Sequence, residues 1–172
     1  MFVASSCLVP SVDSPTRESV APASGPLHAL PEEGLLPEGS LIEISGPDAR
    51  LQAARILAEN RQLPAAWIEQ NLEALPDEVL RTRMDFKKIL FINGRRDSSW
   101  AISSVLTSQL FPIVVFYAPY EDEKFLRRLR RQARESGASV LLLRPEPCFS
   151  WTIRVQLRAQ NGKLDVLRWR KQ

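Results

Sequence analysis

The chain is short of the residue types that build most metal and catalytic sites. It has 172 residues, of which two are cysteines, Cys7 and Cys148, and one is a histidine, His28. Two cysteines without metal-ligand spacing exclude a disulfide scaffold and favour a reduced, cytoplasmic compartment. The single histidine argues against a histidine-based zinc site and against a Ser-His-Asp triad. No run of about 18 apolar residues is present, so we expect neither a transmembrane helix nor a membrane partner.

The first 30 residues differ in composition from the rest of the chain. They hold four prolines among many serines and alanines, show no apolar periodicity, and lack the basic segment of a signal peptide. We therefore predict a disordered tail over residues 1–30, followed by one domain over residues 31–172.

Strand and helix patterns alternate after the tail. Apolar, β-branched runs predict strands over residues 40–45, 65–69, 88–92, 112–117 and 139–143. Helical spacing predicts helices between them, over residues 51–63, 75–83, 98–110 and 121–136. Asn161-Gly162 separates two further strand patterns and predicts an antiparallel C-terminal hairpin. The fold class is therefore α/β, with a largely parallel sheet, helices on both faces, and the hairpin extending one edge.

A resemblance to the RecA family begins at residue 34. The segment reads Gly-Leu-Leu-Pro-Glu-Gly, then a β-rich run, then Gly46-Pro47-Asp48. It resembles the entry to the nucleotide-binding core of RecA-family recombinases, where a similar turn and strand lead into a phosphate loop. By element order the resemblance extends over residues 34–143, and it implies a RecA-like fold.

The phosphate loop itself is degenerate. A working loop reads G-x-x-x-x-G-K-[ST], because small residues let backbone N–H groups close on phosphates, the lysine neutralises charge and the hydroxyl binds magnesium. Here the eight positions are Gly46, Pro47, Asp48, Ala49, Arg50, Leu51, Gln52 and Ala53. Leu51, Gln52 and Ala53 replace the glycine, the lysine and the hydroxyl residue. We therefore predict no enzyme activity, no nucleotide and no metal cofactor.

The charge is distributed unevenly along the chain. Residues 1–120 carry 10 Lys/Arg and 14 Asp/Glu, a net charge of −4, whereas residues 121–172 carry 13 Lys/Arg and 6 Asp/Glu, a net charge of +7. Such an asymmetry indicates an acidic partner, either nucleic acid or an acidic protein surface. The alternative is a solvated helix and a charged strand edge that resists aggregation.

The basic residues fall on two predicted elements. In the helix over residues 121–136, the arginines occupy the side opposite an apolar seam that includes Phe125 and Leu129. Pairing across Asn161-Gly162 would set Arg158 opposite Asp165 and Arg154 opposite Trp169, the latter as a cation–π pair. The candidate partner-binding or DNA-binding residues are Arg127, Arg130, Arg131, Arg134, Arg154, Arg158, Arg168, Trp169 and Arg170.

A second resemblance concerns residues 127–145, in which an arginine-rich helix, a glycine turn and an apolar strand end at Arg144-Pro145. This stretch resembles the small RecA relatives of the bacterial DNA-damage response that lack the ATP site, ImuA and SulA. The RecA-like entry and the basic C-terminus favour ImuA. That resemblance implies a scaffold in SOS translesion synthesis that binds a Y-family-polymerase-like partner (ImuB-like), RecA or DNA.

Two other functions stay open at this point. A SulA-like cell-division inhibitor would bind a tubulin-like GTPase. A divergent nucleotide-hydrolysing enzyme would use Arg50 together with the acidic cluster at residues 121–123.

Overall fold

A computed structural model of the chain describes residues 36–72, 77–95, 97–119, 122–148 and 150–169; the predicted tail lies outside these residues. The seven strands are β1 Leu41–Ser45, β2 Ala65–Glu69, β3 Ile89–Asn93, β4 Ile113–Tyr117, β5 Ser139–Arg144, β6 Val155–Gln160 and β7 Lys163–Trp169. The helices are α1 Ala49–Glu59, α2 Asp77–Leu80, α3 Ser98–Ser108 and α4 Glu123–Ser136, with a short 3-10 helix at Phe86–Lys88. The predicted order of elements is confirmed.

The strands form one sheet in the order β3-β2-β4-β5-β1-β6-β7. Every neighbouring pair is parallel except β6 and β7, which pair antiparallel as the C-terminal hairpin. The predicted fold class is therefore confirmed. The first strand of the hairpin belongs to the parallel sheet, because β6 pairs parallel with β1, and β7 alone adds an antiparallel edge.

Two apolar layers enclose the sheet. One lies beneath α1 and α2 and includes Ile42, Ile44 and Ala53. The other lies beneath α3 and α4 and includes Phe116, Leu129 and other buried side chains. β4 and β5 are buried on both faces, which explains their continuous apolar runs.

Local signals set the ends of two helices. Asp97 caps α3 by accepting a hydrogen bond from the Trp100 backbone N–H at 2.8 Å. Asp122 caps α4 by accepting from the Phe125 N–H at 2.6 Å, so this helix begins two residues later than predicted. Gly137 ends α4 in the left-handed conformation, with φ 73°.

The pairing of the hairpin differs from the prediction in one respect. Arg158 does lie opposite Asp165. A register shift at Gln156/Leu157 then adds one residue to β7, so Trp169 lies opposite Val155 and not opposite Arg154. The predicted pairing of Arg154 with Trp169 is therefore wrong, because counting from the turn assumes a ladder without a bulge.

No helix in the described ranges is both long enough and apolar enough to span a membrane.

Gly46 marks the closest approach between the loop after β1 and strand β6. Its φ is +112°, and a Cβ added there would overlap the backbone carbonyl oxygen of Ala159. Gly137 also has a positive φ, but a Cβ there would meet nothing within 4 Å. We expect Gly137→Ala to lower the free energy of unfolding by about 1–2 kcal/mol, the cost of the left-handed backbone alone. Gly46→Ala should cost about 2–5 kcal/mol because overpacking adds to that strain.

Urea unfolding of the two variants beside the parent protein measures this difference. Equal losses for the two substitutions would contradict the close approach of Gly46 to β6.

Candidate functional site

The degenerate phosphate loop joins β1 to α1 at the carboxyl edge of the sheet, where α/β folds bind ligands. Three of its N–H groups donate to carbonyls of the protein itself. Gly46 N–H donates to Arg144 O at 3.0 Å, and Asp48 N–H donates to Ala159 O at 3.4 Å. Ala49 N–H donates to Gly46 O at 3.2 Å. The backbone donors of Gly46 and Asp48 therefore bond the loop to β5 and β6.

The hairpin turn, Asn161-Gly162, packs against the same loop. The Asp48 carboxylate accepts a hydrogen bond from the Gly162 N–H at 2.7 Å. Arg55, about two turns further along α1, donates to the Gly162 carbonyl at 2.8 Å. These two bonds hold the turn against α1, so the loop and the helix that follows it anchor the hairpin.

Arg50 forms an ion pair within the site. Its guanidinium bonds the Glu69 carboxylate through two nitrogens, Nε at 2.8 Å and Nη2 at 3.2 Å. It also lies over the Tyr117 ring, 3.9 Å from the ring centre. Burial disfavours the charge of Arg50, but the bonds to Glu69 outweigh it and the pKa of Arg50 lies above its usual value. The one cation of the loop is thereby neutralised by the protein itself.

Glu69 is buried at the end of β2, with 2% of its side chain exposed, compared with 27% for Arg50. The Trp67 indole N–H also donates to it at 3.3 Å. Sequence reasoning missed both Glu69 and Tyr117. A signal for both was available in the sequence. Glu69 ends strand β2 and Tyr117 ends strand β4, and the ends of parallel strands lie at the same edge of the sheet as the loop.

Two of the three positions that lack the motif residues are buried. Ala53 is fully buried in the layer beneath α1, and Leu51 is half-buried. Gln52 is 2% exposed, and its amide nitrogen has no partner among the described residues. Pro47 remains exposed at the tip of the loop.

Of the acidic cluster in the enzyme alternative, Glu123 is not placed near Arg50. Glu121 lies outside the described residues. Glu123 lies on α4, which packs on the sheet face opposite α1, and accepts hydrogen bonds from Ser150 at 2.5 Å and from Thr152. The structure therefore does not bring Arg50 and Glu123 together.

The predicted arginine side of α4 faces solvent. Phe125, Leu126, Leu129 and Ala133 are buried beneath the helix. Arg127, Arg131 and Arg134 are exposed and Arg130 is half-buried, and all four line one groove with Trp151. Burial lowers the pKa of Arg130, and the charges of Arg154 and Arg134 lower it further. Arg154 therefore joins this arginine cluster even though it does not pair with Trp169.

The remaining candidates lie along the hairpin. The Arg168 guanidinium lies 5.9 Å from the centre of the Trp151 ring and donates to the Ser150 carbonyl at 3.0 Å. Arg158 is exposed on β6. Trp169 belongs to β7, but its side chain and Arg170 are outside the described set. Trp151 was not among the predicted residues, because a single tryptophan after Phe-Ser carries no pattern.

A buried polar cluster connects β1, β6 and the segment after β5. The Glu43 carboxylate accepts hydrogen bonds from the Cys148 N–H at 3.1 Å, from the Cys148 thiol at 2.8 Å and from Gln156 at 3.1 Å. Burial raises the pKa of Glu43 and raises the pKa of Cys148 to about 11. The Cys148 thiol is therefore protonated and unreactive at neutral pH. Among the described residues, no group of three or more metal-binding side chains is present.

Comparisons with known proteins find likeness in structure and none in sequence. No family model matches the chain, and no curated protein matches it. The structure is similar to that of the RadB recombinase, with a TM-score of 0.55 and 13% identity over 78% of this chain and 83% of RadB. It is also similar to SulA from Pseudomonas aeruginosa, with a TM-score of 0.50 and 18% identity over 62% of this chain and 97% of SulA. The fold is RecA-like.

The ion pair at the loop can be tested by removing one partner or both. Arg50→Met leaves the Glu69 carboxylate buried without its cation, and we expect it to lower the free energy of unfolding by about 3–5 kcal/mol at pH 7. The double variant Arg50→Met, Glu69→Met should recover most of that loss, because no uncompensated charge remains. Chemical unfolding of the parent, of both single variants (Arg50→Met and Glu69→Met) and of the double variant measures the coupling. A single variant as stable as the parent protein would contradict the role of the pair.

Proposed function

We propose that this chain is a RecA-like accessory protein that acts by binding other macromolecules and not by hydrolysing nucleotide. The observation that carries the proposal is the Arg50–Glu69 ion pair. This pair neutralises Arg50, the only cation of the loop, and the Asp48 carboxylate already accepts a hydrogen bond from the hairpin turn. A triphosphate would have to break both interactions and would find neither a lysine nor a magnesium-binding hydroxyl.

We further propose that it works in the DNA-damage response as ImuA-like proteins do, supporting translesion synthesis in the cytoplasm. Its partners would be a Y-family-polymerase-like protein (ImuB-like) or RecA. Support comes from the RecA-like fold, from the resemblance at residues 127–145, and from the exposed arginines of α4. Arginine-rich faces recognise acidic partners by charge complementarity.

Nucleotide binding tests the first part of the proposal. We expect Mg-ATP at millimolar concentration to leave the unfolding temperature unchanged, because a ligand stabilises a protein only when it binds the native state. The double variant Arg50→Met, Glu69→Met serves as the matched control, since it removes the ion pair. A saturable rise in the unfolding temperature of the parent protein, abolished in that variant, would restore the enzyme alternative.

One observation favours a second candidate, a SulA-like cell-division inhibitor. The structural alignment covers 97% of SulA and 62% of this chain, so nearly all of the SulA structure has a counterpart in this fold. A protein of that kind would bind a tubulin-like GTPase.

Binding to purified partners separates the two candidates. The full-length chain is immobilised and exposed to the polymerase-like protein, to RecA and to the tubulin-like GTPase of the same organism. We expect binding of the polymerase-like protein or RecA, weakened at least tenfold by Arg127→Ala, Arg131→Ala. The variant Arg61→Ala, Arg81→Ala, which changes the net charge equally on the opposite face, should bind as the parent does. Binding of the GTPase alone would replace the first candidate with the second.

A further inference from the structure

A groove of about 720 Å³ lies between α4 and residues 145–154, the segment that joins β5 to β6. Trp151 and Thr152 line one side of it. Four arginines of α4 line the other side: Arg127, Arg130, Arg131 and Arg134. Because these arginines lie three and four residues apart, they share one face of the helix. The groove is therefore bordered by a row of positive charges on a rigid element.

Two glutamates of α4 also line the groove, one at each end of this row. Glu123 pairs with Arg127 at 3.4 Å, and Glu135 pairs with Arg131 at 3.7 Å. The two glutamate side chains are 40% and 66% exposed, so both carboxylates act on a ligand that reaches them. On a helix their positions are about 18 Å apart along the axis. The row of arginines therefore has a negative charge at both ends.

Arg130, in the middle of the row, is held among like charges. It is half-buried, and burial lowers its pKa. The charges of Arg154, which directly precedes β6, and of Arg134 lower that pKa further. A half-buried guanidinium gains more from an added carboxylate than a fully solvated one does, since the attraction is screened less. The middle of the groove therefore favours an anion.

The glutamates at the two ends limit the length of that anion. A polymer that continues past the ends brings its own negative charges close to Glu123 and Glu135, and the repulsion opposes binding. A nucleic acid strand carries a phosphate at every nucleotide, so it meets this repulsion. A protein segment can confine its carboxylates to the arginines, since five extended residues span about 17 Å and neutral residues can follow on either side. The charge pattern therefore favours a short acidic protein segment.

We propose that the groove binds a short segment of a partner protein that is rich in aspartate and glutamate, with its carboxylates on Arg130 and Arg134. Arginine bonds a carboxylate through two parallel N–H groups, and these two side chains lie one helical turn apart, so neighbouring acidic residues can reach both. The inference rests on the proposed function, because it names the chemistry of the surface that the partner offers. It does not depend on which protein carries the segment.

Fluorescence anisotropy of the full chain with labelled hexaglutamate tests the proposal. We expect saturable binding whose affinity falls as salt rises, and weaker binding of labelled hexathymidylate at the same ionic strength. Arg130→Ala, Arg134→Ala should weaken hexaglutamate binding about 5- to 30-fold, because two ionic contacts are lost. Arg130→Lys, Arg134→Lys should recover part of that loss, since the charge remains while the two-nitrogen contact does not.

Glu135→Gln tests the limit on length. A long oligothymidylate, of about twenty nucleotides, should bind this variant about 2- to 5-fold more tightly than it binds the parent, because one source of repulsion is gone. Hexaglutamate should gain less, because it fits between the two glutamates. An equal gain for both probes would contradict the role of Glu135 as an end of the site.

The control is Arg61→Ala, Arg81→Ala, which removes the same charge from exposed positions beside α1 and α2. It should bind hexaglutamate as the parent protein does, and thermal unfolding should show all variants folded. The proposal is overturned if the parent does not bind hexaglutamate, or if the control loses as much affinity as Arg130→Ala, Arg134→Ala. It is also overturned if hexathymidylate binds as tightly as hexaglutamate, which would assign the groove to nucleic acid.

Failure of this proposal is distinguishable from failure of the proposed function. If the chain binds hexaglutamate at the groove but binds neither the polymerase-like protein nor RecA, the acidic-segment site stands and the proposed partners are rejected. If it binds one of those partners but not hexaglutamate, the partner stands and the site is rejected.

Discussion

The bidentate contact between Arg50 and Glu69 connects the start of α1 to the end of β2 across the carboxyl edge of the sheet. A carboxylate that is 2% exposed must be paired, and Arg50 is its cationic partner. Tyr117, at the end of β4, packs against the other side of the guanidinium. Arg50 thus connects three elements, because it lies on α1, bonds Glu69 at the end of β2 and packs on Tyr117 at the end of β4. Because its charge is satisfied internally, Arg50 is not available as a free cation at this edge of the sheet.

The same edge explains why the C-terminal hairpin is an integral part of the domain. β6 pairs with β1, and Gly46 permits the loop after β1 to touch the backbone at Ala159. Asp48 and Arg55 then bind the turn at Gly162. A hairpin attached at both its first strand and its turn has little freedom to move. It therefore carries Arg168 to a defined position beside Trp151, and the degenerate loop indirectly supports the arginine groove on the opposite face.

The sequence was sufficient to predict the order of strands and helices because buried parallel strands and amphipathic helices leave clear periodicities. The apolar runs of β4 and β5 and the arginine side of α4 are examples. The loop was recognised from Gly46-Pro47-Asp48 because its spacing to β1 is local. What could not be predicted depends on distant parts of the chain. Glu69 follows Arg50 by 19 residues, and only the sheet order brings them together. The bulge that moves Trp169 away from Arg154 likewise has no local signal.

The two polar regions of the molecule differ in how their charges are balanced. At the degenerate loop, each ionic group has a partner within the fold, since Arg50 bonds Glu69 and Asp48 accepts from Gly162. At the α4 groove, the carboxylates are used by Arg127, Arg131 and two hydroxyl groups, and further arginines remain near one another. Like charges held together on a rigid helix raise the energy of the unbound protein, and an acidic partner would relieve that repulsion. This difference in charge balance, more than the fold, is the reason that we propose α4 as the binding face.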